Sequence, residues 1–174
     1  MKNKLVIENI IRFVLLLVLQ VLILNKINLF GYLHPNAYIL FILLLPFETP
    51  GWLLLILAFV TGLSIDVFEG VMGIHTIATV FAAFIRPYVI KIVGDKPEYE
   101  TNAKPGIFDM KLSWFLYYAA IIIFLHQFVL NLLDAFSFKQ FFLLLWRTIL
   151  NSALTLLFAV ILQYIFPPST KRNK

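Results

Sequence analysis

The stretch NAYILFILLLPFETPGWLLLILAFVTGLSIDV, residues 36–67, carries Glu48 and Asp66 as its only acidic or basic side chains. Its second part, Gly51 to Val67, is an unbroken apolar run of the length that crosses the ~30 Å hydrocarbon core of a bilayer as a helix. Its first part, Asn36 to Phe47, sits between Pro35 and Pro46 and offers barely half the usual length. That piece reads as a short helix in a protein-lined region or as a re-entrant segment. Glu48-Thr49-Pro50-Gly51 between the two is a turn by composition.

The rest of the chain agrees with a membrane reading. Of 174 residues 61% are hydrophobic and 13% charged, with 18 Phe and a mean hydropathy of +0.93. A typical soluble domain has about 45–50% and about 25%. Too little polar side chain remains to clothe a globule or to keep a disordered chain in solution. The absence of Cys removes disulfides, thiolate metal sites and thiol nucleophiles together.

Six spans are expected: Leu5 to Leu24, Asn36 to Phe47, Gly51 to Val67, Ile74 to Val93, Leu112 to Leu133 and Phe141 to Phe166. The chain is therefore expected to be an all-α membrane protein with one integral domain over 1–174, one of its spans short or re-entrant. An N-terminus inside places Lys2, Lys4, Lys91, Lys96, Lys104, Lys111, Lys171, Arg172 and Lys174 on the cytoplasmic side, against Lys26 and Lys139 outside. That asymmetry sets the orientation, with both termini cytoplasmic, and accounts for the net charge of +5 without nucleic acid as a partner. The segment 94–111 becomes the long cytoplasmic loop. No small-residue cleavage site follows Leu24, so the first helix is expected to be retained. Trp52, Trp114 and Tyr164 are expected in an inner aromatic belt, and Tyr32, Tyr38 and Trp146 in an outer one.

Small residues four apart mark close helix contacts in lipid. Ala58 and Gly62 do so in span three, Ala78 and Ala82 in span four, Thr155 and Ala159 in span six, and these three spans are expected to form the packed centre. Span one has no Gly, Ala, Ser or Thr, which predicts a lipid-facing or loosely docked helix. Charges inside a span cost at least about 2.5–3.5 kcal/mol at mid-bilayer and need partners. An inner network of Glu8, Arg12, Glu48 and Arg86 is expected, with Glu48 first and Glu8 second as the partner of Arg86. An outer polar cluster gathers Asp66, His75, Asn131, Asp134, Arg147 and Asn151, with Glu69 and His126 close by. It reads as a network fixing helix register, as a ligand or ion pocket, or as a partner-docking surface. Asp66 is expected to stabilise the turn by accepting backbone N–H bonds before Ile74 or by pairing with His75 or Arg147. No metalloprotease, nucleophile-elbow or phosphate-loop motif occurs, and Gly62-Leu63-Ser64-Ile65-Asp66 supplies only one carboxylate where an aspartyl hydrolase needs two.

Pro35 opening a short apolar span, Gly62-Leu63-x-x-Asp66 closing the next, Gly73-Ile74-His75 starting the following one, and a polar loop and basic tail thereafter form a pattern that resembles the bacterial rod shape-determining MreD family. The specific part covers residues 35 to 87. The resemblance implies a non-enzymatic scaffold without cofactor in the bacterial cytoplasmic membrane, within the cell-elongation machinery. Its implied partners are an MreC-type bitopic membrane protein, actin-like MreB filaments, and the peptidoglycan glycosyltransferase with its transpeptidase. The family also looks similar in fold to the six-helix substrate-binding subunits of energy-coupling-factor vitamin transporters, which supplies the alternative function. Such subunits commonly carry Ala-x-x-x-Ala on the first helix, and span one here departs from that pattern.

Overall fold

A computed structural model describes residues 2–26, 34–94, 103–135 and 141–167, and all regular structure among them is helical. The helices are α1 (Lys2–Leu22), followed by a 3-10 turn at Leu24–Lys26, then α2 (Ile39–Leu43), α3 (Gly51–Glu69), α4 (Ile74–Val93), α5 (Leu112–Ala135) and α6 (Phe141–Ile165). Five of them, all but α2, are long and apolar enough to cross a membrane. Tyr32, Lys96, Lys139 and the basic tail at Lys171, Arg172 and Lys174 lie outside the described residues.

From α3 onward each long helix packs on its predecessor, so α5 intervenes between α4 and α6. The expected centre of spans three, four and six is thereby corrected. The centre is the segment 37–45, every residue of which is buried, with α2 at its middle. The buried small face of α6, Thr155 and Ala159, belongs to this core as well, with Thr155 bonded to Asn36 and Gln127. Tyr38 is another correction: it lies in the interior rather than in an aromatic belt. Its position follows from the polar partners described below, which an interfacial tyrosine would find in water instead.

The α3–α4 hairpin is the tightest contact. Gly70 closes α3 at φ 69°, with Val71 N–H bonded back to Asp66 O at 3.1 Å, and Gly73 opens α4 at φ 76°. These left-handed positions suit glycine and let the chain reverse within four residues. Ala58, Gly62, Ala78 and Ala82 are all buried, as helix contact through small residues requires. At Gly62 the approach is extreme. A Cβ there would clash with Thr76 Cα and lie 2.7 Å from His75 O and 2.8 Å from Thr76 N.

By contrast α1 is held loosely. With no small residue it cannot approach its neighbours closely, and a crevice runs along each side of it. One of about 320 Å³ lies against α6, floored by Leu40 and Leu44, and one of about 690 Å³ lies against α3, floored by Phe41, Leu45 and Pro46. Leu16 and Gln20 are its buried residues.

The backbone contact at Gly62 predicts intolerance even of a methyl group. Gly62→Ala should destabilise the protein by about 1–3 kcal/mol through overpacking, visible as a lower Tm in detergent, and an unchanged Tm would mean that α3 and α4 have room to separate.

Candidate functional site

The N–H groups of Ile39, Leu40, Phe41 and Leu44 bond back to Asn36, Ala37, Tyr38 and Leu40 O at 3.0 to 3.4 Å. So short a helix still leaves the N–H groups just before it and the C=O groups at its end without such partners, and inside a lipid-embedded bundle no bulk water reaches them. The buried polar side chains of this protein converge on that problem. At the N-terminal end of the central segment, Asn151 Oδ1 accepts from His34 N–H at 2.9 Å and Thr155 Oγ1 accepts from Asn36 N–H at 3.1 Å. Gln20 serves both polarities, donating to Pro35 O at 3.0 Å and accepting from Tyr38 N–H at 3.4 Å. Gln127 joins the Asn36 amide at 3.2 Å to Thr155 Oγ1 at 3.1 Å, which ties α5 and α6 to the same point.

At the C-terminal end three consecutive carbonyls are taken up by side chains. The Tyr118 hydroxyl donates to Leu43 O at 3.0 Å, Arg12 Nη1 reaches Leu44 O at 3.4 Å, and Arg86 Nη2 donates to Leu45 O. Arg86 Nε also donates to the Tyr118 hydroxyl at 2.9 Å. This corrects the expected carboxylate partner of Arg86. Glu48 is exposed in the hairpin, and Glu8 instead binds Lys104 Nζ at 3.0 Å. No carboxylate among the described residues lies within ion-pair distance of Arg86, which is 2% exposed. The physical reason is that a helix end presents carbonyl oxygens carrying partial negative charge, and these can solvate a guanidinium without a second buried ion. Arg12, with Asn9 Oδ1 at 3.2 Å, uses the same device, so the four expected inner charges divide into two carbonyl-bound arginines, one Glu–Lys pair and one exposed carboxylate.

The loop before α5 contributes as well. Residues 103–107 are buried, with Lys104 on Glu8, Lys104 N–H on Asp109 Oδ2 at 2.9 Å, and Ile107 N–H on Gln163 Oε1 at 2.9 Å. The part of 94–111 nearest α5 is therefore packed between α1, α2 and α6.

The expected outer cluster splits in two. On one side Asp66 reaches across from α3 to the start of α4, accepting from His75 N–H and Thr76 N–H at 2.9 Å each and from the Thr76 hydroxyl. A carboxylate at a helix N-terminus meets both orphan donors and the positive end of the helix dipole. Asp66 thus accepts backbone bonds as one expected alternative had it, but the donors follow Ile74 inside α4 rather than preceding it, because the free N–H groups are those of the first helical turn. His75 turns its ring away, with Nε2 on Glu69 at 2.8 Å and Nδ1 on the Tyr38 hydroxyl at 2.9 Å, and that hydroxyl also meets His126 Nε2 at 3.0 Å. On the other side Asn131 donates to Thr148 Oγ1 at 3.0 Å and Asn151 serves His34. Asp134 and Arg147 are exposed.

Charge spacing pointed to Asp66, His75 and Arg86 but missed Gln20, Asn36, Tyr38, Gln127 and Thr155. Neutral amides and hydroxyls inside apolar spans carry the signal that would have found them, because in lipid each must have a partner.

Comparison with protein-family models, with curated proteins and with solved structures gives no match.

Two substitutions test these assignments. Tyr118→Phe leaves Leu43 O and Arg86 Nε short of a partner and should cost about 1–3 kcal/mol, whereas Glu48→Gln should leave stability in detergent unchanged. Asp66→Asn turns an amide toward backbone donors and should lower the Tm while membrane insertion persists. A wild-type Tm in Tyr118→Phe would show that the α2 carbonyls are served by something else.

Proposed function

We propose that this chain is a non-enzymatic multi-pass scaffold of the MreD type, a subunit of the bacterial cell-elongation complex. It acts through protein contacts with an MreC-type bitopic protein, MreB filaments and the peptidoglycan glycosyltransferase–transpeptidase pair. In this reading it resides in the cytoplasmic membrane with both termini inside, and its arrangement is akin to the six-helix vitamin-binding subunits without their ligand.

The observation that carries the proposal is the closure of the outer polar residues on the chain itself. Asp66, Asn131 and Asn151 bond to α4, Thr148 and His34 at 2.9 to 3.0 Å. A small-molecule site needs polar groups converging on space that a ligand fills. Here they converge on backbone and neighbouring helices, which favours a scaffold over a vitamin carrier. The sequence resemblance over residues 35 to 87 supplies the family, and the lack of a small-residue face on α1 weighs against docking to a transporter coupling subunit.

Co-expression and purification test the reading. An MreC-type protein should be retained, and vitamins should leave the Tm unmoved. A ligand at a hundred times its Kd would stabilise by about 2.7 kcal/mol, so a bound vitamin could not go unnoticed. Capture of an energy-coupling ATPase module, or a vitamin retained through purification, would overturn the scaffold assignment.

A further inference from the structure

Four side chains from three long helices and the central segment form one continuous hydrogen-bonded line. Glu69 at the end of α3 meets His75 Nε2 at 2.8 Å, His75 Nδ1 meets the Tyr38 hydroxyl at 2.9 Å, and the same hydroxyl meets His126 Nε2 at 3.0 Å. Exposure falls steadily along it. The Glu69 side chain is 26% exposed and that of His75 8%, while Tyr38 and His126 are fully interior. The line ends at His126 Nδ1, a buried ring nitrogen with no hydrogen-bond partner among the described residues.

A buried polar group without a partner costs about 1–3 kcal/mol, and fixing helix register gives no reason for a line of bonded groups to end on one. The Tyr38 hydroxyl is the decisive element. It has one proton, so it donates to one imidazole and accepts from the other, and the line has two hydrogen-bond polarities. Exchange between such polarities is how a proton crosses a hydrogen-bonded chain. Histidine and carboxylate chains inside membrane helices mark proton relays for this reason.

We infer that Glu69, His75, Tyr38 and His126 form a proton-transfer path that gives the buried His126 ring protonic access to the α3–α4 turn. A proton arriving on the Glu69 carboxylate passes to His75 Nε2, the His75 Nδ1 proton passes to the Tyr38 oxygen, and the Tyr38 proton passes to His126 Nε2. Three bonds to hydrogen break and three form. Glu69 is left as carboxylate, His75 and Tyr38 are left neutral, and the charge resides on His126 with both ring nitrogens protonated. The ligand of this site is therefore a proton, which needs no cavity among groups already in contact.

The groups facing the line set its charge balance. From α3 come Asp66 and Glu69, from α4 His75, and from the central segment Tyr38. The buried polar residues of α6, which packs on α5, are the uncharged Thr148, Asn151, Ser152 and Thr155, together with Gln163 near its far end. Asp66, held by the α4 N-terminus, stays outside the transfer and contributes negative potential next to His75. No base or acid within this group competes with His126 for the incoming proton at the inner end.

The chain has three histidines, at 34, 75 and 126, which makes ring-15N NMR of the full-length protein in lipid nanodiscs a direct readout. His34 is exposed, so His34→Gln assigns its signal without touching the line. In the wild type, 15N relaxation dispersion at lowered pH should show His126 Nε2 exchanging between the neutral and the doubly protonated ring. In Tyr38→Phe that exchange should slow by about tenfold or more. Glu69→Gln alters only the outer end of the line and should slow it as well. A wild-type His126 with no such exchange at any pH at which the protein is folded would overturn the path, as would an unchanged rate in Tyr38→Phe. Should Tyr38→Phe fail to fold, an unaltered His126 exchange rate in Glu69→Gln would overturn it equally.

Discussion

Everything in this bundle answers to the backbone of a helix too short to satisfy itself. A run of about twenty residues hides most of its own amides and carbonyls. The segment around α2 bonds the N–H groups of Ile39, Leu40, Phe41 and Leu44 within itself and leaves those of His34, Asn36 and Tyr38 and the carbonyls of Leu43, Leu44 and Leu45 to side chains from elsewhere. The surrounding helices therefore bring side chains to it from both ends: amides and hydroxyls to the N–H end, guanidinium and phenol groups to the carbonyl end. Polar residues that look costly when each span is considered alone become complementary once the central segment is in place. Arg86 is the clearest case, a buried cation bonded to carbonyl and phenol oxygen in place of an acid.

The α3–α4 hairpin applies the same logic to a different backbone end. Removing a Cβ at Gly62 lets Thr76 come against α3, and that closeness puts the Asp66 carboxylate, one turn further on, within reach of the first amides of α4. Packing and capping are one arrangement here, since α4 would lose its carboxylate if the helices stood further apart. His75 occupies the junction, with its backbone on Asp66 and its ring on Glu69 and Tyr38.

Hydropathy and small-residue spacing made the five long helices and the α3–α4 contact legible, because both depend on local composition. The shortness of the second span was also legible from Pro35 and Pro46. Its role as the centre was not, since a buried apolar run and a lipid-facing one have the same composition. The pairing of Arg86 with a carboxylate was the natural expectation from charge, and it failed because backbone carbonyls leave no mark in a sequence. The interior roles of Tyr38, expected in an aromatic belt, and of Gln127 were not legible for a related reason: a tyrosine near a predicted interface and a glutamine in an apolar helix each acquire meaning only from partners about ninety residues away.

The central segment also constrains the order in which the chain can be built. Residues 34–45 leave the ribosome long before α5 and α6, yet Asn36 takes its partner from Thr155, 119 positions later, and Leu43 from Tyr118, 75 positions later. During synthesis the segment must wait with its backbone groups turned to interfacial water or to the insertion machinery, while α3 and α4 can already close on each other. Final burial of α2 is then the last event of assembly, and α1, flanked by crevices on both sides, is the element with freedom to move aside for it.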